Sequence, residues 1–110
     1  MSEAQELKRF GAVPQPNSGR GKNNKGDGIL DGKWIVDVKE ASKSFTLNKS
    51  VWAKVCTDAS KSNKEPLLLA VFGDEGQPRT RLVIMSAEEF EELRWKAEAY
   101  DKQEWEHADE

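Results

Sequence analysis

Polar and apolar positions along this chain alternate between two periods, and the switches between them outline eight elements. "SEAQELKRF" puts Glu3, Leu7 and Phe10 at helical spacing behind Ser2, a capping residue, and predicts a short helix. Ala12-Val13 follows as a short strand. The Gly- and Pro-rich stretch from Gly11 to Gly28 predicts a flexible basic loop carrying Arg20, Lys22 and Lys25. "ILDGKWIVDVK" is the clearest local signal. Asp31-Gly32 is a type I′ turn sequence between apolar arms, so two antiparallel strands are expected, with residue 30 opposite 33 and 28 opposite 35. "SVWAKVCTDASKS" is an amphipathic helix with a stripe of Leu47, Val51, Trp52, Val55 and Ala59, capped by Asn48 or Thr46.

The continuous apolar run "PLLLAVFG" reads as a strand buried on both faces, and "RLVIM" as a further strand beyond the turn "EGQPRT". Ser86 with Glu89 three residues on forms a capping box for a last helix, whose face is Phe90, Leu93, Ala97 and Tyr100. Trp34, Trp52, Phe72 and Phe90 are expected in the core, while Trp95 and Trp105 fall off the last helix's stripe. The predicted fold class is α/β, a small mixed sheet flanked by helices, because a crossover helix joins the hairpin to "LLLAVF". One domain is expected over residues 1–100, with 101–110 an acidic, flexible tail.

Composition narrows the chemistry. Cys56 is the only cysteine and His107 the only histidine, so a disulfide, a cysteine zinc cluster and Ser-His or Cys-His catalysis are set aside. Carboxylates, lysines, hydroxyls or an oxygen-loving metal remain. No apolar run reaches the roughly 18 residues of a spanning helix, and the N-terminus lacks the apolar core of a signal peptide. A cytoplasmic protein with no membrane partner is expected. The net charge of −3 divides unevenly, residues 87–110 carrying −7 and residues 1–86 carrying +4, so the body is compatible with a phosphate-bearing partner.

Alternation along the second hairpin strand sends Ile35, Asp37 and Lys39 to one face and Trp34, Val36 and Val38 to the other. Asp27 sits at the mouth of the neighbouring arm. In the expected register the hairpin has to splay slightly for Asp27 and Asp37 to converge. Two carboxylates held together repel unless a cation joins them, and Mg²⁺ takes such oxygen ligands together with water and phosphate oxygens. A lysine beside the ion positions water and stabilises developing charge. The plainer reading leaves Asp37 and Lys39 facing solvent on an edge strand.

"GD" at 26–27, a hairpin and "DVK" at 37–39 resemble the PD-(D/E)xK nuclease superfamily, with Gly in place of the motif's proline and Asp in place of the commoner glutamate. The order of the following segments resembles archaeal-type Holliday-junction resolvases over residues 3–86. The resemblance implies a restriction-endonuclease-like core in α-β-β-β-α-β order, plus an extra strand and a C-terminal helix. It implies Asp27, Asp37 and the Val38 carbonyl as metal ligands, Lys39 as catalytic lysine, and a first-helix glutamate that is either Glu3 or Glu6. Ser18 and Arg20 lie where related enzymes meet backbone phosphate, and Ser42 and Ser44 follow the lysine as hydroxylated residues do there; Lys22 and Lys25 are expected to meet DNA as part of the basic loop.

The resulting expectation is an endodeoxyribonuclease that uses Mg²⁺, with Mn²⁺ able to substitute, acts on branched or junction DNA, and works as a homodimer because cutting two strands needs two sites. The rival is a catalytically silent DNA- or protein-binding module of the same fold. A flap- or nick-directed nuclease is a third reading. "GRGKNNKGDG" lacks the spacing of a nucleotide-binding loop, and Asp27, Asp31 and Asp37 lack the pattern of a calcium loop.

Overall fold

The computed structural model describes residues 3–15, 26–74 and 76–108. Helix α1 spans Glu3–Phe10, strand β1 Val13–Pro14, β2 Gly28–Leu30 and β3 Trp34–Ala41. Helix α2 spans Lys49–Lys61, β4 Glu65–Phe72, β5 Thr80–Ile84 and α3 Ala87–Ala108. The five strands form one open sheet in the order β1-β2-β3-β4-β5. Pairing is antiparallel except between β3 and β4, which run parallel because α2 crosses between them. This is a small mixed α/β protein of five strands and three helices. Among the described residues, no helix is long and apolar enough to cross a membrane.

Each face of the sheet follows from alternation. Trp34, Val36 and Val38 of β3 and Leu67, Leu69 and Val71 of β4 pack with Leu7 of α1 into the main core. Ile35, Leu68 and Ala70 point the other way, toward the side where α2 buries Val55 and Ala59. Strand β4 is therefore buried on both faces, as its unbroken apolar run demands. The caps form as the sequence anticipates. Asn48 Oδ1 accepts the Val51 N–H at 3.0 Å, and Ser86 Oγ accepts the Glu89 N–H at 3.1 Å.

The hairpin register differs from expectation by one residue. Asp31 and Gly32 do adopt the left-handed conformation of a type I′ turn, at φ 53° and 66°. Lys33 N–H closes on Leu30 C=O, but the Lys33 carbonyl accepts the Glu65 N–H from β4. Pairing therefore begins with Leu30 opposite Trp34 and continues with Gly28 opposite Val36. A one-residue shift exchanges faces, and this one turns Leu30 onto the main core beside Trp34.

Other expectations are corrected nearby. The first strand is Val13–Pro14 rather than Ala12-Val13. Leu47 is 46% exposed, outside the buried stripe of α2. Helix α3 continues beyond Tyr100 to Ala108. Phe90, expected in the core, is 57% exposed, and Tyr100 is exposed too, because only Leu93 of that face reaches the main core.

Candidate active site

Gly26 and Asp27 lie where the chain enters β2, and each has a steric or hydrogen-bonding reason to be there. Gly26 has φ +81°, and a Cβ on it would stand 2.2 Å from Ile35 Cγ2. Only glycine fits against that side chain in that conformation. The tight approach sets Asp27 beside β3. Its N–H donates to Val36 C=O at 3.0 Å, and its Oδ2 accepts the Val38 N–H at 2.7 Å. Asp27 thus brackets Asp37, bonded to the residue on either side of it. Its carboxylate also takes the ladder position that β2, which begins only at Gly28, leaves open.

Asp37 itself points to the α2 side and is 5% exposed, on an interior strand. The solvated edge-strand reading therefore does not hold for this residue, while Lys39, two residues on, is exposed. Asp37 Oδ2 is buried and accepts no hydrogen bond from the protein. Burial first, and the charge of Asp27 second, push its pKa from 3.8 up to about 6. Lys54, Lys39 and Asp58 modify that shift more weakly.

These groups line one cavity of about 300 Å³, walled by Glu3, Asp27, Asp37, Val38 and Lys39 on one side and by Ser50, Val51, Lys54 and Val55 of α2 on the other. The pKa of Glu3 is raised by burial and by the charges of Asp27 and Glu40, against a lowering by Lys39. Burial opposes the charge on Lys54, but its hydrogen bond to Asp58 at 3.2 Å and the charges of Asp37, Asp58 and Asp27 outweigh that and raise its pKa.

The donor set suits a hard divalent cation. A buried carboxylate oxygen without a donor, next to a second carboxylate, is relieved by positive charge placed between them. The N–H and C=O of one strand residue face the same side, so the Val38 carbonyl lies on the edge that Asp27 covers. Among the described residues, no three His, Cys, Asp or Glu side chains form a ready metal-binding group. An ion here would rest on Asp27 and Asp37 and complete its shell with main-chain, water and phosphate oxygens.

The two first-helix glutamates have different surroundings. Glu3 is on the wall of the cavity. Glu6 is fully buried and is held by Arg81, whose Nε and Nη2 donate at 2.8 and 3.2 Å, and by Arg79 Nη1 at 3.3 Å. The Arg81 hydrogen bond, reinforced by the charges of Arg81, Arg79 and Arg9, outweighs burial and lowers the pKa of Glu6. Its lone pairs are committed away from Asp37. Ser44 is exposed, and the Ser42 hydroxyl donates to Asp74 at 2.5 Å. Ser18, Arg20, Lys22 and Lys25 lie outside the described residues.

Ser50 and Lys54 are the members of the cavity that the sequence did not single out, and Lys54 is the charged one. The available signal for Lys54 was its place between Val51 and Val55, on the flank of the stripe that α2 presents to β3. Comparison with protein-family models, curated proteins and solved structures finds no match for this chain.

Proposed function

We propose that this chain is a Mg²⁺-dependent endodeoxyribonuclease, in which Mn²⁺ substitutes, with a restriction-endonuclease-like core and a preference for branched DNA. The observation that carries the reading is Asp27 bracketing a buried Asp37, whose Oδ2 lacks a donor, in a cavity that also holds Lys39 and Glu3. A divalent ion supplies Lewis-acid activation of water and neutralises charge on the phosphate. The protein's own residues do the rest.

Asp27 is fixed by the Val38 N–H, so one carboxylate is oriented before any ligand arrives. Asp37 contributes an ionised oxygen whose solvation has already been removed by folding, which strengthens its attraction for a cation. Lys39 offers an exposed ammonium to the attacking water and to the charge that builds on the phosphate. On the opposite wall Val51 and Val55 provide apolar contact while Lys54 adds a positive charge that faces Asp37. Cleavage of both strands at a branch takes two such sites, so the enzyme works as a homodimer, acting on DNA inside the cell.

The test is incubation of purified protein with labelled four-way, flapped and linear DNA in Mg²⁺. Cleavage of branched substrates, lost in Asp37→Asn and reduced by orders of magnitude in Lys39→Ala with the fold intact, is the expected outcome. Specific, metal-independent binding without cleavage by the wild type would favour the second reading, a silent binding module. One observation favours that alternative: Asp27 already has a structural task in satisfying Val38 N–H.

A further inference from the structure

A second cavity, of about 340 Å³, opens at the end of the β4–β5 hairpin and is lined by Arg9, Arg79 and Arg81 together with Gly76, Gln77 and Pro78. We propose that it is an anchor for a DNA backbone phosphate away from the scissile bond. The proposal rests on the nuclease reading above for the identity of the ligand.

Three arginines meet two carboxylates here, Glu6 and Glu40, so the wall carries an excess of positive charge. Here Glu6 receives two bonds from Arg81 and one from Arg79. Arg79 is held further by the Gly73 carbonyl, to which its Nε and Nη2 donate at 3.3 and 3.2 Å, and it lies 3.6 Å from Glu40 Oε2. These bonds fix two guanidinium planes before a ligand binds, which lowers the conformational cost of recognition. Arg9, exposed one helical turn beyond Glu6, adds its charge to the same rim. Arginine matches phosphate geometry through paired N–H donors.

The placement fits a strand that also crosses the Asp27–Asp37 cavity. Helix α1 joins the two cavities, with Glu3 on one and Arg9 on the other. Six residues of helix rise about 9 Å. Charges recur about every 3.4 Å along the axis of one DNA strand, so one backbone offers phosphates to both cavities at once. Glu40 lies near both sites, raising the pKa of Glu3 and approaching Arg79.

The experiment measures DNA affinity by fluorescence anisotropy in EDTA across a salt series, for the wild type, Arg9→Gln and Arg9→Lys. Loss of one phosphate contact lowers the slope of log affinity against log salt by about 0.9 and weakens binding about five- to tenfold at 0.1 M salt. Arg9→Gln is expected to show both changes with an unaltered melting temperature, and Arg9→Lys to recover the slope. The double variant Glu6→Gln/Arg81→Gln, which removes Glu6 with its two-bond partner and leaves Arg79 on Gly73 and Glu40, is expected to lower the slope similarly. Wild-type affinity and slope in Arg9→Gln would overturn the anchor. So would tight, Arg9-dependent binding of inorganic phosphate with an unaltered DNA slope, which assigns the cavity to a free anion. A wild type that binds DNA with the Arg9-dependent slope but never cuts it contradicts the nuclease reading and leaves the anchor standing. Absence of DNA binding at low salt contradicts both.

Discussion

Replacing Asp37 by Asn is expected to stabilise the folded protein at neutral pH. Asp37 is 5% exposed, and burial with the neighbouring Asp27 charge raises its pKa from 3.8 to about 6. Each pKa unit corresponds to about 1.4 kcal/mol, so ionised Asp37 costs at most about 3 kcal/mol. Water in the adjacent cavity and local relaxation reduce this to about 1–2 kcal/mol. Because the folded-state pKa is raised, the protein binds the proton more tightly than the unfolded chain does. The resulting stabilisation is full below pH 3.8 and is lost as pH rises through about 6. Asparagine does not titrate. The variant should therefore match the wild type near pH 4 and exceed it by about 1–2 kcal/mol at pH 7.5, a rise in melting temperature of about 5–10 °C. Urea unfolding followed by tryptophan fluorescence at both pH values measures the difference, and added Mg²⁺ should narrow it at pH 7.5. A variant less stable than wild type at pH 7.5, or a difference that does not change with pH, would show that the buried Asp37 charge does not destabilise the fold.

Gly26→Ala should lower stability by about 2–4 kcal/mol in urea unfolding, because its Cβ would meet Ile35 Cγ2 at 2.2 Å with φ at +81°. Glu6→Gln should cost about 3–5 kcal/mol by leaving Arg81 and Arg79 without their buried carboxylate, whereas Glu3→Gln should hardly change stability but should impair metal-dependent cleavage. Those two variants together separate the structural glutamate from the one at the cavity. Truncation before Asp101 removes five acids and one lysine, a change of +4 in net charge, and should raise DNA affinity at low salt with a gain that fades as salt increases.

The order of all eight elements was legible because local chemistry marks most of the turns and caps between them. Asp31-Gly32 dictates the turn, Asn48 and Ser86 cap the second and third helices, and the Pro66–Phe72 run has the length and composition of a doubly buried strand. The hairpin register was not legible. The same Asp-Gly pair is compatible with a loop of two or three residues, and the choice was made by Glu65, whose N–H captures the Lys33 carbonyl from another strand. The choice between Glu3 and Glu6 was equally remote from local pattern. It depends on Arg79 and Arg81, 73 and 75 residues away from Glu6. Periodicity identified Phe90, Leu93 and Tyr100 as one face of α3, but a period states which residues share a side, not whether anything covers them. Asp27, Asp37 and Lys39 were visible as types and spacing. The burial of Asp37 and the participation of Lys54 came only from the packing of α2 across β3.

In the proposed function, Asp27 and Asp37 together hold a divalent ion that cuts DNA. The most direct measurement is single-turnover cleavage of a labelled four-way junction in Mg²⁺ by wild-type protein and by Asp27→Asn and Asp37→Asn, each purified identically and shown to be folded. The expected result is Mg²⁺-dependent cleavage by the wild type, abolished by EDTA and by either substitution, with junction binding retained in Asp37→Asn. Cleavage that survives in Asp37→Asn, or a folded wild type that binds the junction and leaves it intact in both Mg²⁺ and Mn²⁺, would contradict it.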